Sequence, residues 1–510
     1  MDQMTSRAAE IEYADWKAPA GDGQMLIWPE SAELVAQTRE NQKWLSGTGS
    51  ARIQNTPLSE LRRAARAAIG HEIDDQPLIA TGHQSELYHP GVWVKDVLLD
   101  GAAKKLDGVA YHFAVDTDHP KHLHVRWPGQ SMPITDDPAI ATASWSGMLK
   151  PPSAEHVLQI EATARREWGA FNYEPMLFAY LDALKSRLAT ATTLSSLITD
   201  AQRDLDENLG LTHRATMVSP MLRSSGFLAF AYHVLSRPDA FASAYNGALA
   251  EYRARTGTRS TMRPMPDLFV HSQSIETPFW LDNLADGKRI RPSVFPTPDG
   301  KWLLELVGGE EFIFDPNLDA LEAAQRFGAF LDRTNHRLAP RALTLTLFLR
   351  LMVADQFVHG IGGGRYDQVT DRIITTHFGL APPRFCVTTG TLYFPAAIGR
   401  DRVCMPCLLQ EGHRLKHAVL GERKRELIGA IGAQPRGSSA RTSLFLGMQR
   451  ERREALAQSP DVARWERKLV DAAARAQQDK IIFDRELFYA AQSRERLMTM
   501  IEKYREAFAS

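Results

Sequence analysis

"PLIATGHQSELYHPGVWVKDVLLDGAAKKLDGVAYHFAVDTDH", residues 77 to 119, decides the fold. A short apolar run ends at Thr81-Gly82, and the Pro90-Gly91 pair opens a second segment. There Val94, Leu98, Ala102 and Leu106 recur at four-residue spacing, the apolar face of a helix that closes at Gly108. Val109 to Val115 then reads as another buried strand. Strand, helix and strand in close succession predict parallel strands joined by a right-handed crossover.

Ligands of an open parallel sheet bind beyond the carboxyl ends of its strands. Two polar loops fall there, "TGHQSELYHPG" and "VDTDHPKHLH". In the first, Gly82 and Gly91 allow close backbone approach, and the helix start near Pro90 offers N–H groups to an anion. His83 and His89 add hydrogen bonds or positive charge, with Thr81, Gln84 and Lys95 on the same unit. In the second, Asp116, Asp118 and His119 suit the orientation of an amine or ribose, or the transfer of a proton. Each loop alone is equally readable as a turn with solvated histidines; their position on consecutive strands favours a small-molecule site. A third stretch, "HGIGGGRYD", places Gly362, Gly363 and Gly364 before a helix, with Arg365 suited to a carboxylate or phosphate and Tyr366 beside it. No Gly-Lys-Ser/Thr follows, and the spacing is not that of a dinucleotide fingerprint.

Outward from these loops, 510 residues call for two or three structural units. Residues 1–74 read as an adaptor with one helix over "SELRRAARAAI". Residues 75–435 form the α/β core, with a mainly helical insertion over about 128–255 that begins in a Pro- and Ser-rich linker. Its clearest helical run is "LFAYLDALKSRLATATTLSSLITDAQRDLDENLG". "DLFVHSQ", "TPFWLDN" and "KWLLELV" are strand candidates, and "PRALTLTLFLRLMVADQF" a further helix. Residues 436–510, after Gly437-Ser438-Ser439, are helical with coiled-coil character and offer a homodimer contact.

A formal net charge of -1 argues against a nucleic-acid partner. Three cysteines are too few for a disulfide framework and suggest a reducing cytoplasm. The first residues carry acids where an export signal needs bases. The most apolar segment, "LTLTLFLRLMVADQF", is interrupted by Arg350 and Asp355, short of the ~20 residues of a membrane span. A cytoplasmic protein with no membrane partner is expected. Cys404, Cys407, His413 and His417 have the softness and number for structural zinc. Structural cysteines and surface histidines account for the same letters.

The order of these features resembles the bacillithiol biosynthesis cysteine-adding enzymes, the bacillithiol synthase or putative cysteine ligase family. Their first strand ends in a Thr-Gly-Gln-Gln loop, a Gly-Pro turn and a Lys-containing helix; here stand Thr81, Gly82, His83, Gln84, Pro90, Gly91 and Lys95. Their second ends in a Ser-Glu-Asp-His-Asp type sequence; here it is Asp116, Thr117, Asp118, His119 and Pro120. "IGGGRYDQVTDRIITTHFGLAPPRF" and "AYNGALAEYRARTG" are similar to their later Gly-rich turn and Tyr-Asn helix. The resemblance spans roughly residues 75 to 395 and departs at His83, at His89-Pro90-Gly91 and at Pro120. It implies a Rossmann-like, nucleotidyltransferase-type core and a ligase that forms a carbon–nitrogen bond between cysteine and glucosaminyl malate.

ATP or ADP with magnesium is the cofactor expected of such a ligase. Two other classes fit the same loops: a nucleotidyltransferase that adenylates a small acid, and a non-catalytic scaffold with a vestigial pocket.

Overall fold

The computed structural model describes residues 16–47, 51–71, 76–127, 130–169, 171–262 and 265–509. The acidic start of the chain, on which the export expectation rests, lies mostly outside them. Two compact units form: residues 1–392 with 485–510, and residues 393–484.

The first unit is built on a six-stranded sheet. Its strands are β1 (Met25–Trp28), β2 (Leu78–Gln84), β3 (Val109–Val115), β4 (Arg214–Met217), β5 (Gln356–His359) and β6 (Phe385–Gly390). The spatial order is β1-β6-β5-β2-β3-β4. β2 to β6 run parallel and β1 closes the edge antiparallel to β6. From β2 the chain moves outward through β3 to β4, then returns to β5 on the other side of β2. The strand order therefore reverses between β2 and β5.

Right-handed crossovers running in opposite directions put their helices on opposite faces of a sheet. The Pro90–Leu106 helix joins β2 to β3, and the Ile361–Ile373 helix joins β5 to β6. On the second face Leu78, Ala80 and Phe113 pack with Leu61, Ala65, Phe227, Phe357 and Val369 in one continuous core. On the first, the Arg494–Ala509 helix lies against Pro90–Leu106, and Tyr504 Oη is 2.6 Å from Thr388 Oγ1. The last helix thus belongs to the first unit, and the boundaries fall at 392/393 and 484/485 rather than at 435/436. Two smaller antiparallel sheets, of five and three strands, lie between β4 and β5 in sequence and contain the three strand candidates.

Several boundaries differ from the sequence reading. The Pro90–Leu106 helix turns left-handed at Asp107 (φ 53°), one residue before Gly108. Gly108 is needed for close approach, since a Cβ there would lie 2.5 Å from the Pro77 carbonyl oxygen. The Pro- and Ser-rich passage includes a strand, Gln130–Pro133, paired with His124–Trp127. The long helical run splits into Leu177–Arg187 and Leu194–Asn208, because Thr193 and Ser196 form a capping box. The "PRALTLTLF" helix ends in a π-helical turn at Val353 and gives way to β5.

The second unit is helical, with Met405–Ala418, Gly421–Gly432, Ser439–Gln458 and Pro460–Ile482 as its main elements. Trp465 Nε1 donates to the Leu408 carbonyl at 2.8 Å, and its ring lies over Gly412, where a Cβ would meet it at 2.1 Å. Gly412→Ala is therefore expected to cost ~1–3 kcal/mol by overpacking, read as an earlier thermal transition of this unit.

Among the described residues no helix is long and apolar enough to cross a membrane.

Candidate functional site

A cavity of about 490 Å³ opens at the carboxyl end of β2, on the side of β3. One wall is the loop after β2, with His83, Glu86, Tyr88 and His89. A second wall comes from the chain beyond β3, with His122, His124, Arg126 and Ser131. Glu486 and Phe488, about 355 residues beyond Ser131, complete it.

The loop after β2 is held from beneath. Thr81 Oγ1 donates to the Val358 carbonyl at 2.7 Å, tying β2 to β5. Lys95, buried in the following helix, donates from Nζ to the Gly82 carbonyl at 2.9 Å. Burial brings the Lys95 ammonium down to about 8, against the opposing pull of Asp96 and Glu86.

His83 and Glu86 face each other across this loop, with His83 Nδ1 3.3 Å from Glu86 Oε1. The same Nδ1 lies 3.2 Å from the Gln84 carbonyl oxygen, an obligate acceptor, which places the ring proton on Nδ1 and leaves Nε2 basic. Desolvation, reinforced by the Lys95 ammonium, holds His83 well below the ordinary imidazole range. Desolvation also pushes the Glu86 carboxyl up to about 7. Its Oε2 is buried with no hydrogen-bond partner among the described residues. One environment thus places a neutral imidazole next to a carboxyl that exchanges its proton near pH 7, an arrangement suited to general acid–base work.

His89 caps the Pro90–Leu106 helix: its Nδ1 accepts from the Gly91 amide at 3.0 Å, so a neutral ring carries its proton on Nε2. This corrects the expectation that the helix start receives an anion. The Gly91 amide is taken by His89, and the amides of Val92 and Trp93 both donate to the His89 carbonyl. Gly91 answers a packing demand instead, since a Cβ there would lie 2.8 Å from Thr389 Oγ1.

The second predicted loop is a brace. Gln84 Nε2 donates to Asp118 Oδ2 at 2.6 Å, which joins the two strand ends. Asp116 accepts from the amide and hydroxyl of Ser219, and His119 Nδ1 lies 3.1 Å from the Ala143 carbonyl oxygen. Asp116, Asp118 and His119 therefore shape the loops, and the cavity takes its lining from His122 onward.

The glycine stretch is also placed differently. The helix starts at Ile361, so Gly362, Gly363 and Gly364 form its first turn and not a loop before it. Gly364 is packed against β6, where a Cβ would meet Val387 at 2.5 Å. Arg365 donates to the Trp16 carbonyl at 2.6 Å, and Tyr366 packs edge-on to Tyr252. None of these five residues lines the cavity.

The zinc expectation is overturned by covalent chemistry. Cys404 and Cys407 are joined in a disulfide, so neither supplies a thiolate ligand. The His413 and His417 rings lie 4.5 Å apart, tilted by 39°, and His417 Nδ1 is 2.9 Å from Lys424 Nζ.

No protein-family model matches this sequence, and no curated protein matches it.

Sequence reasoning reached His83, Gln84 and His89 but missed Glu86, Arg126 and Glu486. Glu86 stands inside the quoted loop three residues from His83, and that spacing was the one legible signal. Glu486 carries none, because only the return of the chain to the first unit brings it to the wall.

Proposed function

We propose that the protein is a bacillithiol synthase-like ligase on a Rossmann-like, nucleotidyltransferase-type core. It joins the carboxyl group of an amino acid, cysteine in the family it resembles, to the amine of a small acceptor such as glucosaminyl malate. The observation that carries this reading is the His83–Glu86 pair in a cavity at the carboxyl end of β2. The carboxyl ends of the strands are the ligand-binding side of open parallel sheets.

In this reading His83 Nε2 takes the proton released by the attacking amine. The protonated Glu86 carboxyl donates to the oxygen that leaves the acyl carbon. His89 Nε2, His124 and Arg126 supply donors and positive charge for the anionic substrate groups. A nucleoside triphosphate with magnesium, when bound, supplies carboxyl activation.

The test is incubation with cysteine, glucosaminyl malate, ATP and magnesium, with the amide product read by mass spectrometry. Product formation supports the reading. Pyrophosphate release from an acid and ATP without amide would replace it by adenylation, and inertness with no ligand-induced thermal shift by the scaffold.

The pair also sets a pH dependence. The Glu86 carboxyl stands at about 7 in the folded chain against an ordinary 4.5. Its protonated form therefore favours the fold fully below pH 4.5, and stability is lost as pH rises through about 7, by at most ~3 kcal/mol. Urea unfolding across this window should show the slope, and Glu86→Gln should flatten it. Turnover should fall along the same limb.

A further inference from the structure

Behind the cavity, on the far side of Tyr88, lies a second group of ionisable side chains that the ligase reading does not use. Asp96 projects from the Pro90–Leu106 helix, Asp206 from the Leu194–Asn208 helix, and His213 from the approach to β4. All three are buried, and one ligand atom from each falls within 4.8 Å of the others. They are the only such Asp/Glu/His/Cys group among the described residues.

We propose that Asp96, Asp206 and His213 bind a first-row divalent transition ion, zinc or manganese, which fastens the Pro90–Leu106 helix to the Leu194–Asn208 helix.

The surroundings are those of a built site rather than of acids that happen to meet. Asp206 Oδ1 is held by Trp93 Nε1 at 2.8 Å and by the Tyr489 hydroxyl at 3.1 Å. Its other oxygen, Oδ2, is buried with no hydrogen-bond partner among the described residues, and faces His213 Nε2 at 3.6 Å. Asp96 Oδ1 is held by His112 Nδ1 at 2.7 Å, and its Oδ2 accepts from the Tyr88 hydroxyl at 3.3 Å. Both carboxylates are thus oriented by outer partners, the usual support of metal ligands, and Asp206 keeps one oxygen without a hydrogen bond. The outer ring is itself locked, since His112, Tyr88, Tyr489 and Trp93 form a continuous aromatic stack.

The donor set selects the ion class. One imidazole and two carboxylates suit zinc or manganese. Calcium requires six to eight oxygens, more than this pocket presents. Two carboxylates in the interior also need compensating positive charge, which a divalent ion supplies at the point where they converge. Because the three ligands are enclosed, the ion is captured as the chain folds.

The experiment uses full-length protein prepared without a metal-affinity tag. Elemental analysis should find about one zinc or manganese per chain. If preparation has stripped it, refolding the full chain with either ion should raise Tm, and refolding with Co²⁺ should give visible ligand-field bands. Asp206→Asn and His213→Gln should lose the ion and the Tm response while keeping the far-ultraviolet circular dichroism of the parent. Should they fail to fold, the Co²⁺ spectrum of the parent protein decides alone. A parent chain that holds no metal and shows neither Tm shift nor bands overturns the site, as does metal retained equally by both folded variants. Amide formation is not a readout here, so failure of this site and failure of the ligase reading remain separable.

Discussion

Asp355→Ala is expected to cost ~3–5 kcal/mol of stability, with chemical unfolding as the measure. The carboxylate is fully buried immediately before β5, where Oδ1 accepts from Arg62 at 2.6 Å and from Arg66 at 2.8 Å. Its Oδ2 accepts from the Leu78 amide at 2.8 Å, at the start of β2. Alanine leaves two guanidinium groups in the interior with their shared counter-charge removed, and burying an uncompensated ion costs far more than the pair contributes. It also frees one amide at the head of the central strand. Asp355→Asn keeps the shape and the Leu78 bond but not the charge, so it should fall between the alanine variant and the parent. A loss below ~1 kcal/mol for alanine would show that the arginines find other partners.

Turnover should fall ~10²–10⁴-fold in Glu86→Gln and in His83→Ala, corresponding to ~3–5 kcal/mol of transition-state stabilisation. Glutamine preserves the size of Glu86 and removes its proton, so the loss belongs in kcat, and the pH limb near 7 should vanish with it. His83→Gln is the sharper comparison, because under the proposed bacillithiol synthase-like reading glutamine is the residue expected at this place. If His83 accepts the proton, glutamine cannot replace it and the variant is as slow as alanine. Parent-like turnover in His83→Gln would make the side chain a hydrogen-bonding anchor and remove the base from the mechanism. Thermal melts of all three variants must show the fold intact for either result to count.

The legible parts of this molecule are those whose cause is local. The β2–helix–β3 unit announces itself because a short apolar run, a Pro-Gly start and a four-residue repeat are written within 40 residues. β5 was hidden because "LFLRLMVADQFVH" carries short apolar runs on both sides of Arg350 and Asp355, and such runs do not reveal where helix yields to strand. The site divides in the same way. His83 and His89 are visible as residues at a strand end, whereas the raised Glu86 carboxyl arises from burial, a property of the folded chain. Gly362 to Gly364 misled for the converse reason: only the tertiary structure shows Gly364 accommodating Val387. The Cys404–Cys407 spacing fits a disulfide as well as a metal knuckle.

The discontinuity of the first unit has a temporal consequence. Glu486 and Phe488 close the cavity, and Tyr489 reaches Asp206, yet residues 393–484 intervene after β6. At ~5–20 residues per second, a ribosome takes roughly 5–20 s to translate that insert. Throughout that interval the emerging polypeptide has every strand of its main sheet but an open wall, and the cavity is closed only after the second unit has been made.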